Sequence, residues 1–206
     1  LVLGLALNMY YTSRLLPVIL GLYSLHRLAR ERLAFLRAQA PGLLLWGLMT
    51  LLTVSPLLQY AILFPREFTS RMEQVTIFKE IEQAGSVRPL LDNLVRHLLM
   101  FHRAGDRNGR HNLPGAPHLD PLTGALVLLG LALALARWRQ PACGLVLAWA
   151  VLMLSGGVFS LTFEAPQALR TIDETVAVAL LAALPLAQLG EALAGLGRPV
   201  EWLGRL

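Results

Sequence analysis

The sequence predicts an all-α fold: a multi-pass transmembrane helix bundle of about five spans, the first truncated, with a helical extracytoplasmic loop region. Of the 206 residues, 55% are apolar and only 15% are charged, whereas soluble domains carry about 25% charged residues. The mean hydropathy is +0.57, and the apolar residues are gathered in uncharged runs. A helix needs roughly 20 apolar residues to cross a hydrocarbon core of about 30 Å. We therefore expect residues 1–206 to be a fragment of one integral membrane domain.

The N-terminal stretch predicts two helices separated by a polar turn. Leu1–Ser13 is uncharged, Arg14 interrupts the run, and Leu15–Leu25 continues it. We expect the end of one helix, a turn over Tyr10–Arg14, and a second helix through about Arg27. One kinked helix is the alternative, but it would bury an arginine near the middle of the membrane at a high cost. Because the chain starts within apolar sequence, with no basic segment before it, we expect a truncated first span and not a signal peptide.

Four further uncharged runs predict the remaining spans. Pro41–Phe64 has 24 residues and Pro141–Phe163 has 23, so each can cross a bilayer. Pro121–Ala136 and Thr175–Gly190 have 16 residues each, which is about 24 Å of helix. The two arginines that follow the first of these shorter runs can extend to the interface, and neighbouring helices can absorb the mismatch in length.

Clusters of arginine predict the orientation in the membrane. The positive-inside rule places such clusters in the cytoplasm. The extracytoplasmic face then carries Tyr10–Arg14, a long loop over residues 65–120 and a short loop over residues 161–174. The long loop holds eight basic and seven acidic residues, but long loops translocate largely regardless of charge. The clusters are Arg27, Arg30, Arg32 and Arg37, then Arg137 and Arg139, then Arg198 and Arg205.

Two segments of the long loop predict amphipathic helices. Phe68–Gln83 has spacing compatible with a helix, and Arg88–Phe101 gathers its apolar residues on one face with a period of 3.6 residues. We expect the second helix to cap the bundle at the membrane surface. It can also border a groove for a lipid substrate, and the two roles are compatible. Its apolar face consists of Leu90, Leu91, Leu94, Val95, Leu98 and Leu99.

Polar residues concentrate in the stretch 105–120, where glycines allow tight turns and prolines hold the chain extended. Arg107 and Arg110 offer planar donor groups for phosphate, and Asn108 and Asn112 can donate to sugar hydroxyls. The alternative is a solvated loop whose last residue, Asp120, is the N-cap of the next helix. We favour the N-cap role for that aspartate.

Other polar residues of the predicted outer face are candidates for the same site. Arg170 can pair with Glu164 across the short loop, or it can face the same cavity as Arg110 and help to hold a phosphate. Tyr11 and Arg14 belong to this face too. Charged residues near membrane depth are functional candidates by default, although Arg14 can also simply anchor its helix at the interface.

Composition and motifs exclude several classes of function. Although the chain is basic, it has one lysine, Lys79, and its 17 arginines mostly flank apolar runs, so we expect no nucleic-acid partner. Cys143 is the single cysteine, so no intrachain disulfide forms. The sequence has no glycine-rich phosphate loop, GxSxG motif or dinucleotide fingerprint.

The sequence favours a site without a cofactor, and a metal site is the weaker alternative. Imidazole and carboxylate groups suit zinc or manganese, and residues 102–120 of the outer loop contain five such side chains. Their spacing matches no compact ligand motif, so we expect no metal, with a divalent ion as the alternative. The side chains are His102, His111, His118, Asp106 and Asp120.

Three segments of the chain resemble bacterial membrane glycosyltransferases of the protein-O-mannosyltransferase and aminoarabinose-transferase type. Asn8–Arg14, followed by Leu-Leu-Pro, resembles the YTS-R-P segment of that group. Gly105–Asn112, with Pro117 and the Leu-Asp pair after it, resembles the GD-N-RHN-P-P-LD segment. Phe163–Arg170 is similar to the outer turn with the pattern P-x-x-x-R. The three segments occur in the expected order and on one predicted face.

This resemblance implies a GT-C fold enzyme of the bacterial inner (plasma) membrane that uses a polyprenyl-phosphate sugar donor. Its acceptor would be a hydroxyl group of a protein, lipid or glycan on the extracytoplasmic side. In the family, a carboxylate of the first outer loop is the general base, and that loop is not in this sequence. We therefore expect the later part of such an enzyme, without the catalytic residue. The residues expected on the phosphate side are Arg110, His111, Asn112 and Arg170, with Asp106, Arg107, Tyr11 and Arg14 as further candidates.

Two functions of other classes are the alternatives. A transporter subunit should place ionisable residues within its helices near the membrane midplane, and the later predicted spans contain none. A non-catalytic membrane scaffold would tolerate the loss of Arg110, His111 and Asn112.

Overall fold

The computed structural model describes residues 1–9 and 12–203, without the side chains of Arg71, Glu73 and residues 196–203. In this part of the chain the backbone forms nine α-helices, three short 3-10 helices and one isolated β-bridge. The predicted all-α class is therefore confirmed. The α-helices are α1 (Val2–Met9), α2 (Leu16–Glu31), α3 (Leu33–Leu63), α4 (Pro65–Val75), α5 (Phe78–Ala84), α6 (Arg88–Leu99), α7 (Pro121–Ala136), α8 (Pro141–Val158) and α9 (Glu174–Leu203).

Three helices are long and apolar enough to cross a membrane. These are α3, α8 and the part of α9 over Glu174–Gly195. The 16-residue α7 is apolar but shorter, and α1 has only eight residues. The sequence predicts about five spans, and the described helices supply three that meet the length for a full crossing.

The chain reverses twice near its N-terminus. As predicted, one helix ends at Met9 and another begins at Leu16, after a 3-10 helix over Thr12–Leu15. The second helix is longer than predicted and ends at Glu31. A single residue, Arg32, then connects α2 to α3 with a backbone φ of +54°, a conformation that non-glycine residues seldom adopt.

The predicted helix over Phe68–Gln83 is wrong at its centre, where the structure has two helices. Thr76 is extended (φ −102°, ψ 150°) and forms an antiparallel bridge with Ser160. The backbone N–H of Ile77 donates to the carbonyl of Phe159 over 3.0 Å. Three consecutive β-branched residues at 75–77 favour this extended break, which joins the long loop to the end of α8.

The predicted amphipathic helix is present as α6, ending at Leu99 instead of Phe101. Its buried face is the polar one: Asn93 and His97 have no exposed surface. Most of the predicted apolar face points away from the protein. The exposed apolar residues of this face, which we call the apolar stripe, are Leu91, Leu94, Val95, Leu98 and Leu99.

The bundle is held by close helix pairs, of which α7 and α9 form the most extensive. A side chain at Gly130 of α7 would place its Cβ 1.8 Å from the carbonyl oxygen of Leu181 in α9. Glycine therefore lets the two backbones touch, as small residues do between membrane helices. The buried cluster around this contact includes Val127, Ala134 and Cys143.

The helices alternate in direction, so that polar segments gather at two opposite ends. At one end, Nε2 of His26 in α2 lies 3.0 Å from the carbonyl oxygen of Arg139, which precedes α8. At the other end, Thr12 lies against Gly156 near the end of α8. This second end also carries the connections after α6 and α8, and the polar residues discussed below lie there.

Candidate functional site

The short loop after α8 is fastened to α6 by two buried polar side chains. The amide of Asn93 donates to the carbonyl oxygens of Val158 (3.1 Å) and Ser160 (2.7 Å). This amide caps carbonyl groups at the end of α8 that the helix itself leaves unbonded. The polar face of α6 therefore faces inward because it satisfies backbone groups there.

His97 makes the second attachment. Its Nδ1 lies 2.8 Å from the carbonyl oxygen of Asn93, and its Nε2 lies 3.1 Å from the backbone nitrogen of Gln167. Because the carbonyl can only accept and the N–H can only donate, Nδ1 carries the proton and the ring is neutral. Burial lowers the pKa of His97, although the Asn93 carbonyl and Asp106 oppose this effect. A Cβ at Gly157 would lie 2.5 Å from Nε2, so only glycine leaves room for the ring.

Asp106 links the polar stretch to the short loop. This residue is 2% exposed, and its side chain accepts hydrogen bonds from the backbone N–H groups of Asn108 (2.8 Å) and Ala168 (2.9 Å). It also lies 3.0 Å from Nδ1 of His111. Burial raises the pKa of Asp106, but these hydrogen bonds outweigh it and hold the pKa below its usual value. The carboxylate therefore orients His111 and joins two loops that are distant in sequence.

A cavity of about 430 Å³ lies between the two loops and the start of α9. The predicted residues Arg110, His111 and Asn112 all line it. Arg110 is exposed and the other two are half-buried. The amide of Asn112 donates to the carbonyl of Ala116 over 2.7 Å, which fixes its orientation. The other lining residues are Met100, Phe101, His118, Leu119, Ala168, Leu169, Thr171, Ile172, Glu174, Thr175 and Val178.

Two other predicted arginines are placed differently. The guanidinium of Arg170 donates to the Glu164 carboxylate (2.9 Å) and to the carbonyl of Val75 (2.9 Å). This is the pairing across the short loop that the sequence left as an alternative. Arg107 lines a neighbouring cavity of about 480 Å³ together with Arg96 and Glu164.

The N-terminal candidates lie near the same end of the bundle. The guanidinium of Arg14 is 4.5 Å from the ring centroid of Phe68 at the start of the long loop. The neighbouring hydroxyl of Thr12 donates to the carboxylate of Asp173, just before α9. Tyr11 lies outside the described residues.

Glu174 is a cavity residue that sequence reasoning missed. It begins α9, it is 6% exposed, and its Oε2 has no hydrogen-bond partner among the residues that the structure describes. In the sequence, Glu174 is simply an acidic residue that directly precedes an apolar run. No pattern of neighbours distinguishes it from a solvated helix start.

The expected N-cap is confirmed, and both Asp120 and His102 bond to backbone groups at the start of α7. Oδ1 of Asp120 accepts from the backbone N–H groups of Leu122 and Thr123, each over 3.0 Å. Nε2 of His102 lies 3.1 Å from the carbonyl of Gly124. Among the side chains that the structure describes, no three of histidine, cysteine or acidic type lie close enough to share a metal ion.

Comparisons of the chain with protein-family models, with curated proteins and with solved structures find no match. The function must therefore be inferred from the residues of the cavity and from the segments that surround it.

Proposed function

We propose that this chain is the later part of a membrane glycosyltransferase and binds the lipid-phosphate side of a polyprenyl-phosphate sugar in the cavity described above. One observation carries the proposal. Two of the three segments that resemble such enzymes, the one with Arg110, His111 and Asn112 and the one that ends at Arg170, border a single cavity beside the start of α9. The third segment reaches the same end of the bundle through Thr12.

The chemistry of the lining suits a ligand that is part lipid and part polar. Such a donor must keep its tail in hydrocarbon while its phosphate and sugar reach water. Arg110 offers a planar donor group to phosphate. The apolar side chains of Met100, Leu169 and Val178 line another part of the same cavity and suit the first isoprene units.

We further propose a topology that places this cavity on the extracytoplasmic side of a bacterial inner membrane. The helix pair α1–α2 and the short α7 would complete about five crossings with the three longer helices. The end of the bundle with His26 and Arg139 would face the cytoplasm, because arginine clusters flank it. Residues 65–120 and 161–174 would then be the two outer loops.

In the proposed reaction, the oxygen of an acceptor hydroxyl attacks the anomeric carbon of the sugar. The bond between that carbon and the phosphate oxygen breaks, and the polyprenyl phosphate leaves with the bonding electrons. Arg110 would stabilise the charge that develops on this phosphate. The hydroxyl proton passes to a general base that the resemblance assigns to an earlier part of the enzyme.

Replacing Arg110 with alanine in the full-length protein tests the proposal. We expect binding of polyprenyl phosphate to weaken by about ten- to a hundredfold, because a hydrogen-bonded charge contact is lost, and sugar transfer to fall with it. Membrane insertion and the melting temperature should not change, since Arg110 is exposed. Arg103→Ala is the matched control, because Arg103 is also exposed and is not among the cavity residues. Equal binding by both variants would remove Arg110 from the site.

A further inference from the structure

The buried carboxyl group of Glu174 is the least explained polar group of the cavity. With 6% of its surface exposed, it has lost nearly all contact with bulk water. Within the described part of the chain, its Oε2 receives no hydrogen bond. Native proteins seldom leave buried polar atoms without partners, because the lost hydration is not replaced. A group of this kind that lines a cavity is therefore a candidate for ligand binding.

The position of Glu174 at the start of a helix does not account for its burial. An acidic residue in the first turn is favourable next to the positive end of the helix dipole, but an exposed side chain gains this benefit as well. Asp173, the preceding acid, receives a hydrogen bond from Thr12. Glu174 instead turns into the cavity, where Thr171 and Thr175 are its neighbours in sequence among the lining residues.

The cavity contains side chains that favour different kinds of ligand group. Arg110 and Asn112 donate hydrogen bonds and favour an anion, whereas the unpartnered carboxyl oxygen of Glu174 accepts hydrogen bonds. A ligand that satisfies both must carry an anionic group and, next to it, uncharged donors such as hydroxyls. A sugar joined to a phosphate has this pairing of groups in one molecule.

We propose that the Glu174 carboxyl binds hydroxyl groups of the donor sugar while Arg110 binds the phosphate. The proposal rests on the proposed function, since the ligand is the sugar donor named there. It makes Glu174 a sugar-binding residue and divides the cavity into a phosphate part and a sugar part. A sugar hydroxyl that approaches this carboxyl group can donate to it and so supply the hydrogen bond that the group lacks.

The binding of two probes to the full-length protein in lipid nanodiscs distinguishes the phosphate part of the cavity from the sugar part. One is bare polyprenyl phosphate, and the other is the same lipid phosphate carrying a hexose or pentose, from a panel of mannose, glucose, galactose and arabinose. For Glu174→Gln and Glu174→Ala we expect affinity for the best sugar-bearing probe to fall about tenfold or more. Affinity for the bare phosphate should stay the same. Glu191→Gln, on the exposed surface of the same helix, should change neither affinity.

The melting temperature supplies a readout that distinguishes binding from a structural role. A carboxyl without partners does not stabilise the fold, so Glu174→Gln should melt at or above the temperature of the unchanged protein. A clear drop for this isosteric variant would indicate a structural role and overturn the proposal. Glu174→Gln also keeps the test valid if the alanine variant does not fold.

Each binding result has a definite meaning. If the unchanged protein binds neither probe, the proposed function fails and the sugar-binding role fails with it. If it binds both and Glu174→Gln weakens neither, the proposed function stands and the role of Glu174 is overturned. An equal loss for both probes would place Glu174 at the phosphate and would also overturn the division of the cavity. Selective loss of the sugar-bearing probe supports it.

Discussion

Two buried side chains, His97 and Asp106, hold the short loop by the same device. Each accepts a hydrogen bond from a backbone N–H of that loop, His97 from Gln167 and Asp106 from Ala168. His97 can do so only as the neutral imidazole, and Asp106 accepts the stronger hydrogen bond as the ionised carboxylate. The position of the loop against the cavity therefore depends on the protonation of two residues that do not line it.

The pKa of His97 makes the stability of the protein fall on acidification. The unfolded chain binds a proton at this residue at a pKa of about 6.5, whereas burial lowers the pKa in the folded state. Below pH 6.5 the unfolded state therefore takes up more protons, and the free energy of unfolding decreases until the pH reaches the folded pKa. His118 adds to the effect, because burial lowers its pKa too.

Melting temperatures measured between about pH 7.5 and about pH 5 check this, because the loss of stability begins near the unfolded pKa of about 6.5. His97→Gln should be less stable at neutral pH but should lose less stability over the acidic range. His26→Gln is the control, since His26 lies at the opposite end of the bundle, next to Arg139. A slope that is equal in the His97 variant and the unchanged protein would contradict the prediction.

At the residue scale, the sequence predicted those roles that depend only on neighbouring residues in the chain. The N-cap role of Asp120 follows from its position directly before an apolar helix, and the structure confirms it. The burial of His97 and Glu174 depends on which helix face packs inward and on a loop about 70 residues away. No local pattern contains that information, so neither residue was predicted.

At the element scale, the contact between α7 and α9 depends on a glycine. Gly130→Ala would force its Cβ to within 1.8 Å of a backbone oxygen of Leu181, and a backbone cannot move aside as a flexible side chain can. We expect the variant to lose about 3 kcal/mol of stability. Thermal or denaturant unfolding in detergent measures the change.

Gly190→Ala in α9 is the matched control for that substitution. It adds the same methyl group within a helix, but no atom lies within 4 Å of the new Cβ. Because alanine favours the helix more than glycine does, we expect a gain of about 0.5–1 kcal/mol. Equal effects of the two substitutions would show that α7 and α9 do not pack as described.

The sequence predicted most helices, but it missed several of their ends and did not indicate how the helices face one another. In α7 the apolar residues surround the helix on all sides, so periodicity cannot indicate the packed face, and small residues such as Gly130 decide it. The break at Thr76 was missed because it depends on a bridge to Ser160, 84 positions further along the chain. The inward polar face of α6 was missed for the same reason, since its partners are the carbonyl groups at the end of α8.

At the scale of the whole molecule, the apolar stripe of α6 points outward, and its exposure is favourable only in apolar surroundings. The helix packs on the end of α8, which is long and apolar enough to cross a membrane. We therefore expect α6 to lie in the membrane interface, with the apolar stripe toward the acyl chains. Its exposed polar side, with Asp92 and Arg96, would face water.

Nitroxide side chains can test this position. On a Cys143→Ala background, Val95→Cys lies on the apolar stripe and Asp92→Cys on the exposed polar side. In bilayers we expect the label at 95 to collide more with oxygen, which dissolves in lipid, and the label at 92 to collide more with a water-soluble nickel chelate. Equal access of the nickel chelate to both labels would show that the stripe does not face lipid.

The hydrogen bond from Ala168 to Asp106 joins residues 62 positions apart, and both α7 and α8 lie between them. A ribosome delivers the aspartate first, so both helices must be made before its partner exists. The polar stretch should therefore remain open to proteases during synthesis, and a chain stopped at residue 160 should be cut after Arg107 or Arg110 faster than one that extends to residue 206. The cavity can then form only after α8 has been made, and a shorter chain cannot bind the proposed ligand prematurely.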